Sequence, residues 1–228
     1  MNDKGRLEAF TDGVIAIAIT LLALDLKLPP GAEGEALGDA LLHHWPSYLA
    51  YLVSFLVIGI MWVNHHAMFA LIARVDRTLL FLNLLLLMVI AAIPFPTALL
   101  AEHLTDGDSH IAAALYSGTM VAMSLCFIAL WSYVRRTGAL LHERVDRNAA
   151  SATSRRFGVG ILIYIGTVGL SFVSATVTLL AHLVIALYYC FDQLAMRGND
   201  RPDAPDAGPV PGAEPAPGGP APVVDRGP

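Results

Sequence analysis

The apolar positions of this chain fall into six runs separated by polar loops, and each long run has the length of a helix that crosses a bilayer. A spanning helix needs about 20 predominantly apolar residues. The second run, from about Pro46 to Phe69, the third, Thr78 to Leu100, and the fourth, Ile111 to Val134, meet that length. The fifth and sixth share Phe157 to Phe191, about 35 residues, which is too long for one crossing. Two short spans with a break near Ser174 to Thr176 fit that stretch better than a single long span followed by an interfacial piece. Pro94 and Pro96 are expected to bend or end the third span near its outer face.

The first run differs from the others. Its apolar core, Val14 to Leu24, has Arg6, Glu8 and Asp12 just before it and Asp25 and Lys27 just after it. Charges so close to lipid are expensive. The first helix is therefore expected to sit against protein or water rather than hydrocarbon, which makes it the first candidate to line a pathway. A cleavable signal peptide is the competing reading of the N-terminus, with Lys4 and Arg6 as its basic region. Glu8 and Asp12 interrupt it, and Asp25, Lys27 and two prolines stand where a small-residue cleavage site belongs.

Loop charges give the orientation. Lys4 and Arg6 precede the first span. Arg74 and Arg77 lie between the second and third, Arg135, Arg136, Arg144, Arg147, Arg155 and Arg156 between the fourth and fifth, and Arg197 and Arg201 after the last. The opposite loops hold Lys27 with Glu33, Glu35, Asp39, Glu102, Asp106 and Asp108. This alternation predicts an all-α integral membrane protein with six transmembrane helices and both termini cytoplasmic. Residues 1–197 form its membrane domain. Residues 198–228, rich in proline, glycine, alanine and acids, form a disordered cytoplasmic tail.

Composition agrees. The 228 residues are 56% hydrophobic and 14% charged, against about 25% charged in a soluble domain. The net charge of −5 comes from acids in the outer loops and the tail. No basic surface runs through the chain, so nucleic acid is not an expected partner. Cys126 and Cys190 lie inside apolar runs, where they read as small core residues rather than a disulfide framework.

Candidate chemistry is sparse. On the first helix Ile17, Leu21 and Leu24 share one face at helical spacing, with Thr20 at its edge. Such a stripe is either an ordinary packing seam or, if several copies surround an axis, a stack of apolar rings that stops conduction by shedding water. Spacing alone does not choose. At the start of that helix Arg6, Phe10, Thr11 and Asp12 combine a cation, an aromatic ring, a hydroxyl and a carboxylate within two turns. They read either as juxtamembrane polar residues in the headgroup layer or as a hydrogen-bonded knot to neighbouring helices. Candidate partners are Trp62, Asn64, His65 and His66 at the end of the second span. Adjacent histidines point in different directions on a helix and make a poor metal pair, so no metal site is expected. One histidine is expected to hydrogen-bond the first helix and the other to face the headgroups. Asn83, deep in the third span, requires a partner, most simply an interhelical hydrogen bond. His43, His44, His103 and His110 fall near outer loops and read as solvated.

A TVGYG filter, a phosphate-binding loop, an HExxH helix, a nucleophile elbow, a cysteine cluster and paired broken helices are all absent from the sequence. An enzyme is not expected, and no cofactor is implied.

The segment R-x-x-x-F-[ST]-D-G-V-x-A-I-A-I-T-L-L, Arg6 to Leu22, resembles the first helix of the transmembrane protein 175 potassium channel family, with Thr11 where that family usually has serine. W-x-x-H-x-x-x-F, carried by Trp62, His65 and Phe69, resembles its second helix. L-N-L around Asn83 and P-F-P from Pro94 to Pro96 resemble its third. The likeness covers roughly residues 4 to 193. It implies a multi-pass cell-membrane channel of the single-repeat bacterial form. That form is a homotetramer whose partners are its own copies, membrane lipid and permeating potassium. It further implies four first helices around the pore, a constriction at Ile17, further rings at Leu21 and Leu24, and a polar layer at Thr20. It implies an inter-helix network of Arg6, Phe10, Thr11 and Asp12 with Trp62 and His65, and only modest potassium selectivity. A proton-conducting or proton-coupled carrier, relaying through Asp12 and His65, is the alternative expectation.

Overall fold

In the computed structural model, residues 3–27, 37–142 and 160–199 are described. They form eight helices: α1 Asp3–Leu24, α2 Leu37–His43, α3 Trp45–Ala70, α4 Arg77–Ala92, α5 Pro94–His103, α6 Ser109–Thr137, α7 Gly160–Ser171 and α8 Ala175–Asn199. Four stretches are long and apolar enough to cross a membrane, namely Lys4–Leu24, Trp45–Ala70, Arg77–His103 and Ser109–Thr137; α7 and the apolar part of α8, Ala175–Phe191, are shorter. An apolar solvent demands this all-helical answer, because a helix satisfies its own backbone groups. The chain divides into two units, Met1–Asp192 and Gln193–Pro228. The described part of the second unit is the last turns of α8, up to Asn199; the remainder of the expected tail lies outside the described residues.

The sequence-level breaks appear where chain chemistry requires them. Pro94 separates α4 from α5. Ile93 keeps a right-handed helical backbone, with its N–H on the Ile90 carbonyl at 3.1 Å, so the third span bends without ending. The Thr97 hydroxyl donates to the Ile93 carbonyl at 2.8 Å, reinforcing the bend that the missing proline donor opens. The last apolar run breaks at Phe172 to Ser174. The loop after the first span, by contrast, contains α2, which the polar reading of that loop missed. Leu37 and Leu41 share one face of it, and Asp39 lies in its first turn, where a carboxylate suits the helix dipole.

α1 packs against α3, α4 and α5; α4 and α5 pack against α6; and α5 packs against α3. The shared core includes Ala50, Val53 and Val57 of α3, Leu79, Leu86 and Ile90 of α4, and Met120, Leu130 and Val134 of α6, each fully or nearly fully buried. A buried hydroxyl chain joins three helices: Ser54 Oγ lies 2.8 Å from Thr97 Oγ1 and 3.0 Å from the Tyr116 hydroxyl. The Tyr116 ring meets the His182 ring edge-on, which brings α8 against α6.

The end of α6 is tied to the α3–α4 loop. Gly138, with φ of +62°, turns the chain out of the helix. The Ala73 N–H then donates to Leu140 O at 2.7 Å, and the His142 N–H donates to Leu71 O at 3.1 Å, around an Ile72–Leu141 bridge. Asp76 caps α4 by accepting from Leu79 N–H at 2.8 Å, and its other oxygen accepts the Tyr133 hydroxyl of α6. Asp76→Ala removes both interactions and is expected to cost about 2 kcal/mol, whereas Tyr133→Phe should cost about half as much. Thermal unfolding of the detergent-solubilised variants measures the difference.

Candidate functional site

α1 has two dissimilar faces. Leu7, Thr11, Ile15, Ala18 and Leu22, spaced four, four, three and four residues apart, are buried against the rest of the bundle. On the other side Ile17 is 60% exposed, Leu21 41% and Leu24 59%. Thr20 is also exposed, and its hydroxyl donates to the Ile17 carbonyl at 2.9 Å. That bond consumes the donor of Thr20 and leaves its oxygen with accepting capacity only. A single chain thus presents an uncovered edge of large apolar side chains interrupted by one polar layer.

The rotation of α1 is fixed by a polar bridge. Asn83 of α4, fully buried, donates from Nδ2 to Thr11 Oγ1 at 2.9 Å, and its Oδ1 lies 2.8 Å from His65 Nε2 of α3. With the Asn83 oxygen as acceptor, the imidazole proton resides on His65 Nε2. The His65 ring is stacked on Phe69 at 4.1 Å and meets Phe127 edge-on at 6.5 Å, so it has little freedom to turn. His66, one residue on, is exposed and lies beside the Trp62 ring.

A second bond sits one step around the same helix. Trp62 Nε1 donates to Asp12 Oδ1 at 2.8 Å, with Trp62 44% exposed in the single chain. Thr11 and His65 are therefore joined through Asn83, and Asp12 is joined to Trp62. Arg6 and Phe10 are exposed, and among the described residues neither is brought to these groups. The sequence marked Asn83 only as a polar residue in need of a partner. Its position between Thr11 and His65 required the packing of three helices to become visible. His43, expected in the outer loop region, donates from Nδ1 to the Asp39 carbonyl at 3.0 Å, and His103 lies 3.3 Å from the Asp106 carboxylate.

The family model for the endosomal/lysosomal potassium channel TMEM175 matches residues 6–94. A potassium channel of Streptomyces collinus is 62% identical over 195 residues, which are 85% of this chain and 95% of that protein. This chain belongs to the TMEM175 family. A second relative, a potassium channel of Chamaesiphon minutus, is 42% identical over 200 residues, 87% of this chain and 96% of its own. The crystal structure of a lysosomal potassium-selective channel TMEM175 homolog from Chamaesiphon minutus superposes with a TM-score of 0.76 at 41% identity, covering 86% of this chain and 98% of that one. The segment matched by the TMEM175 model runs from α1 to the start of α5. It contains every residue of the Thr11–Asn83–His65 bridge and of the Asp12–Trp62 bond.

The bridge makes a stability prediction. Asn83→Leu strands a buried hydroxyl and a buried ring N–H, and should cost roughly 1–3 kcal/mol in thermal or denaturant unfolding. Thr11→Ser keeps the acceptor oxygen and should stay within roughly 0.5 kcal/mol of the parent, while Thr11→Val should lose most of what Asn83→Leu loses.

Proposed function

We propose that this TMEM175-family chain is a passive, modestly selective potassium channel of the cell membrane. It crosses the bilayer six times, with residues 1–197 in the membrane domain and both termini and the tail at 198–228 cytoplasmic. Four copies assemble around an axis lined by α1. Ile17 forms the constriction, Leu21 and Leu24 stack further apolar rings, and Thr20 supplies the polar layer between them. The observation that carries this reading is the uncovered apolar edge of α1, turned away from the face that carries the Thr11–Asn83–His65 bridge. A helix flanked by charges does not gain by turning toward lipid. Turned toward copies of itself, the same edge encloses a bore. The Streptomyces and Chamaesiphon relatives, both potassium channels, support the permeant ion.

In the channel, potassium moves down its electrochemical gradient. A narrow apolar ring at Ile17 excludes water when closed and imposes a dehydration barrier with no moving plug. Thr20 presents hydroxyl oxygens that replace part of the ion's hydration shell. The Trp62–Asp12 bond and the Asn83 bridge hold α1 at a fixed angle, and Arg6 and Phe10, uncovered in one chain, extend this set across the subunit boundary. The alternative proton relay finds less support. No hydrogen bond among the described residues joins Asp12 to His65; each is engaged elsewhere.

Purified protein in liposomes is expected to show a potassium flux that needs neither ATP nor a proton gradient, with a reversal potential displaced toward potassium in a potassium–sodium gradient. Absence of flux from a verified folded oligomer contradicts the proposal. Ile17→Ala should raise conductance several-fold or relax selectivity in the same assay, because it widens the constriction in every subunit at once. Asp12→Asn should weaken the Trp62 bond and reduce the oligomeric fraction on size-exclusion chromatography. Loss of transport in an intact oligomer would favour the proton relay instead.

A further inference from the structure

Asp76 has arginines close on both sides in sequence, Arg74 and Arg77, yet it binds neither. Both of its oxygens are taken, one by the Leu79 N–H and one by the Tyr133 hydroxyl. Arg74, Arg77 and Arg136 are exposed, and among the described residues none of the three is in an ion pair. The Ile72–Leu141 bridge and its flanking backbone bonds bring the α3–α4 loop, which carries Arg74, against the chain just beyond Arg136. The Asp76–Tyr133 contact does the same for the start of α4, which carries Arg77. Three arginines are thus collected at one end of the α4–α6 pair, where the Asp76 carboxylate is occupied by neutral donors. The Arg77 guanidinium lies 5.9 Å over the Phe81 ring, which is 61% exposed, next to Leu80 at 39%. This end therefore has the layering of a membrane boundary, with apolar side chains one turn inside and cations at the headgroup level.

We infer that this edge is a binding surface for the phosphate headgroups of anionic membrane lipids. Guanidinium groups match phosphate geometry with paired N–H donors. The Phe81 ring holds Arg77 where a headgroup lies, and Phe81 and Leu80 meet the acyl chains of the same lipid. A soluble phosphate compound would meet the arginines but would have no use for that apolar step, which favours a lipid as the occupant. The inference depends on the chain crossing a membrane and not on which ion it passes, so it survives failure of the potassium reading.

The test uses the full chain in neutral detergent, titrated with dioleoylphosphatidylglycerol, with dioleoylphosphatidylcholine and with sodium hexametaphosphate, and reads unfolding through tryptophan fluorescence. Phosphatidylglycerol is expected to raise the midpoint, phosphatidylcholine is not, and added salt should weaken the effect. The triple substitution R74Q/R77Q/R136Q should reduce phosphatidylglycerol affinity by about fivefold per arginine removed. Equal affinity in the triple variant, equal stabilisation by the two lipids, or stabilisation by hexametaphosphate matching that of phosphatidylglycerol overturns the inference. A measurement on the unaltered protein guards against a variant that does not fold: a photoactivatable phosphatidylglycerol should crosslink to residues 74–81 and 133–142. Crosslinks confined to other segments overturn it equally.

Discussion

An amide side chain in the middle of an apolar helix has no water to turn to, and the helices around Asn83 are arranged to answer that need. Its nitrogen reaches the Thr11 hydroxyl of α1 and its oxygen reaches the His65 ring of α3, so one residue of α4 fixes both neighbours. In a bilayer the hydrophobic effect does not drive helices together, because lipid tails are as apolar as leucine. Van der Waals packing brings α1, α3 and α4 into contact, but a smooth leucine surface permits many rotations. A directional bond at 2.9 Å from Asn83 to Thr11 permits one.

Once that rotation is set, the rest of α1 follows by helical geometry. Thr11 inward places Leu7, Ile15, Ala18 and Leu22 inward with it, and Ile17, Leu21 and Leu24 outward. The Trp62–Asp12 bond adds a second point of attachment a short step around the helix, so α1 resists both rotation and tilt at its charged end. Elsewhere the bundle is held by devices of the same kind. The Ser54–Thr97–Tyr116 hydroxyl chain stitches α3, α5 and α6 at the proline bend, and Asp76 with Tyr133 clasps α4 to α6. These bonds stiffen the body against which α1 rests. On the proposed reading, a rigid body behind α1 is what holds the Ile17 constriction in place.

Much of this was legible in the sequence, and the residues show where legibility stopped. The apolar runs announced the long helices, Pro94 announced the bend, and the excessive length of the last run announced its break. Helical spacing alone did not separate buried His65 from exposed His66; the W-x-x-H resemblance is what singled out His65. A rotation of about 100° per residue guarantees that the two histidines differ, but not which one faces inward. Asn83 advertised a missing partner and withheld its identity, because Thr11 is 72 residues away in sequence. α2 was hidden by the acids around it, which suit a helix start as well as a loop. The outward orientation of Ile17 was the more difficult case. Spacing put it on a face with Leu21 and Leu24, and only the packing of α1 against its neighbours shows that this face is left uncovered.

The central claim is that the uncovered edge of α1 borders a water-filled path between copies of the chain. Cysteine accessibility tests it most directly. In a background with Cys126 and Cys190 replaced by alanine, single cysteines are placed at positions 17, 21 and 24 and, as controls, at the buried positions 15, 18 and 22, and silver ions are applied to the conducting protein in a bilayer. The account predicts rapid irreversible block at positions 17, 21 and 24 and little effect at 15, 18 and 22. Unaltered current at the first three positions, or indistinguishable block at all six, would contradict it.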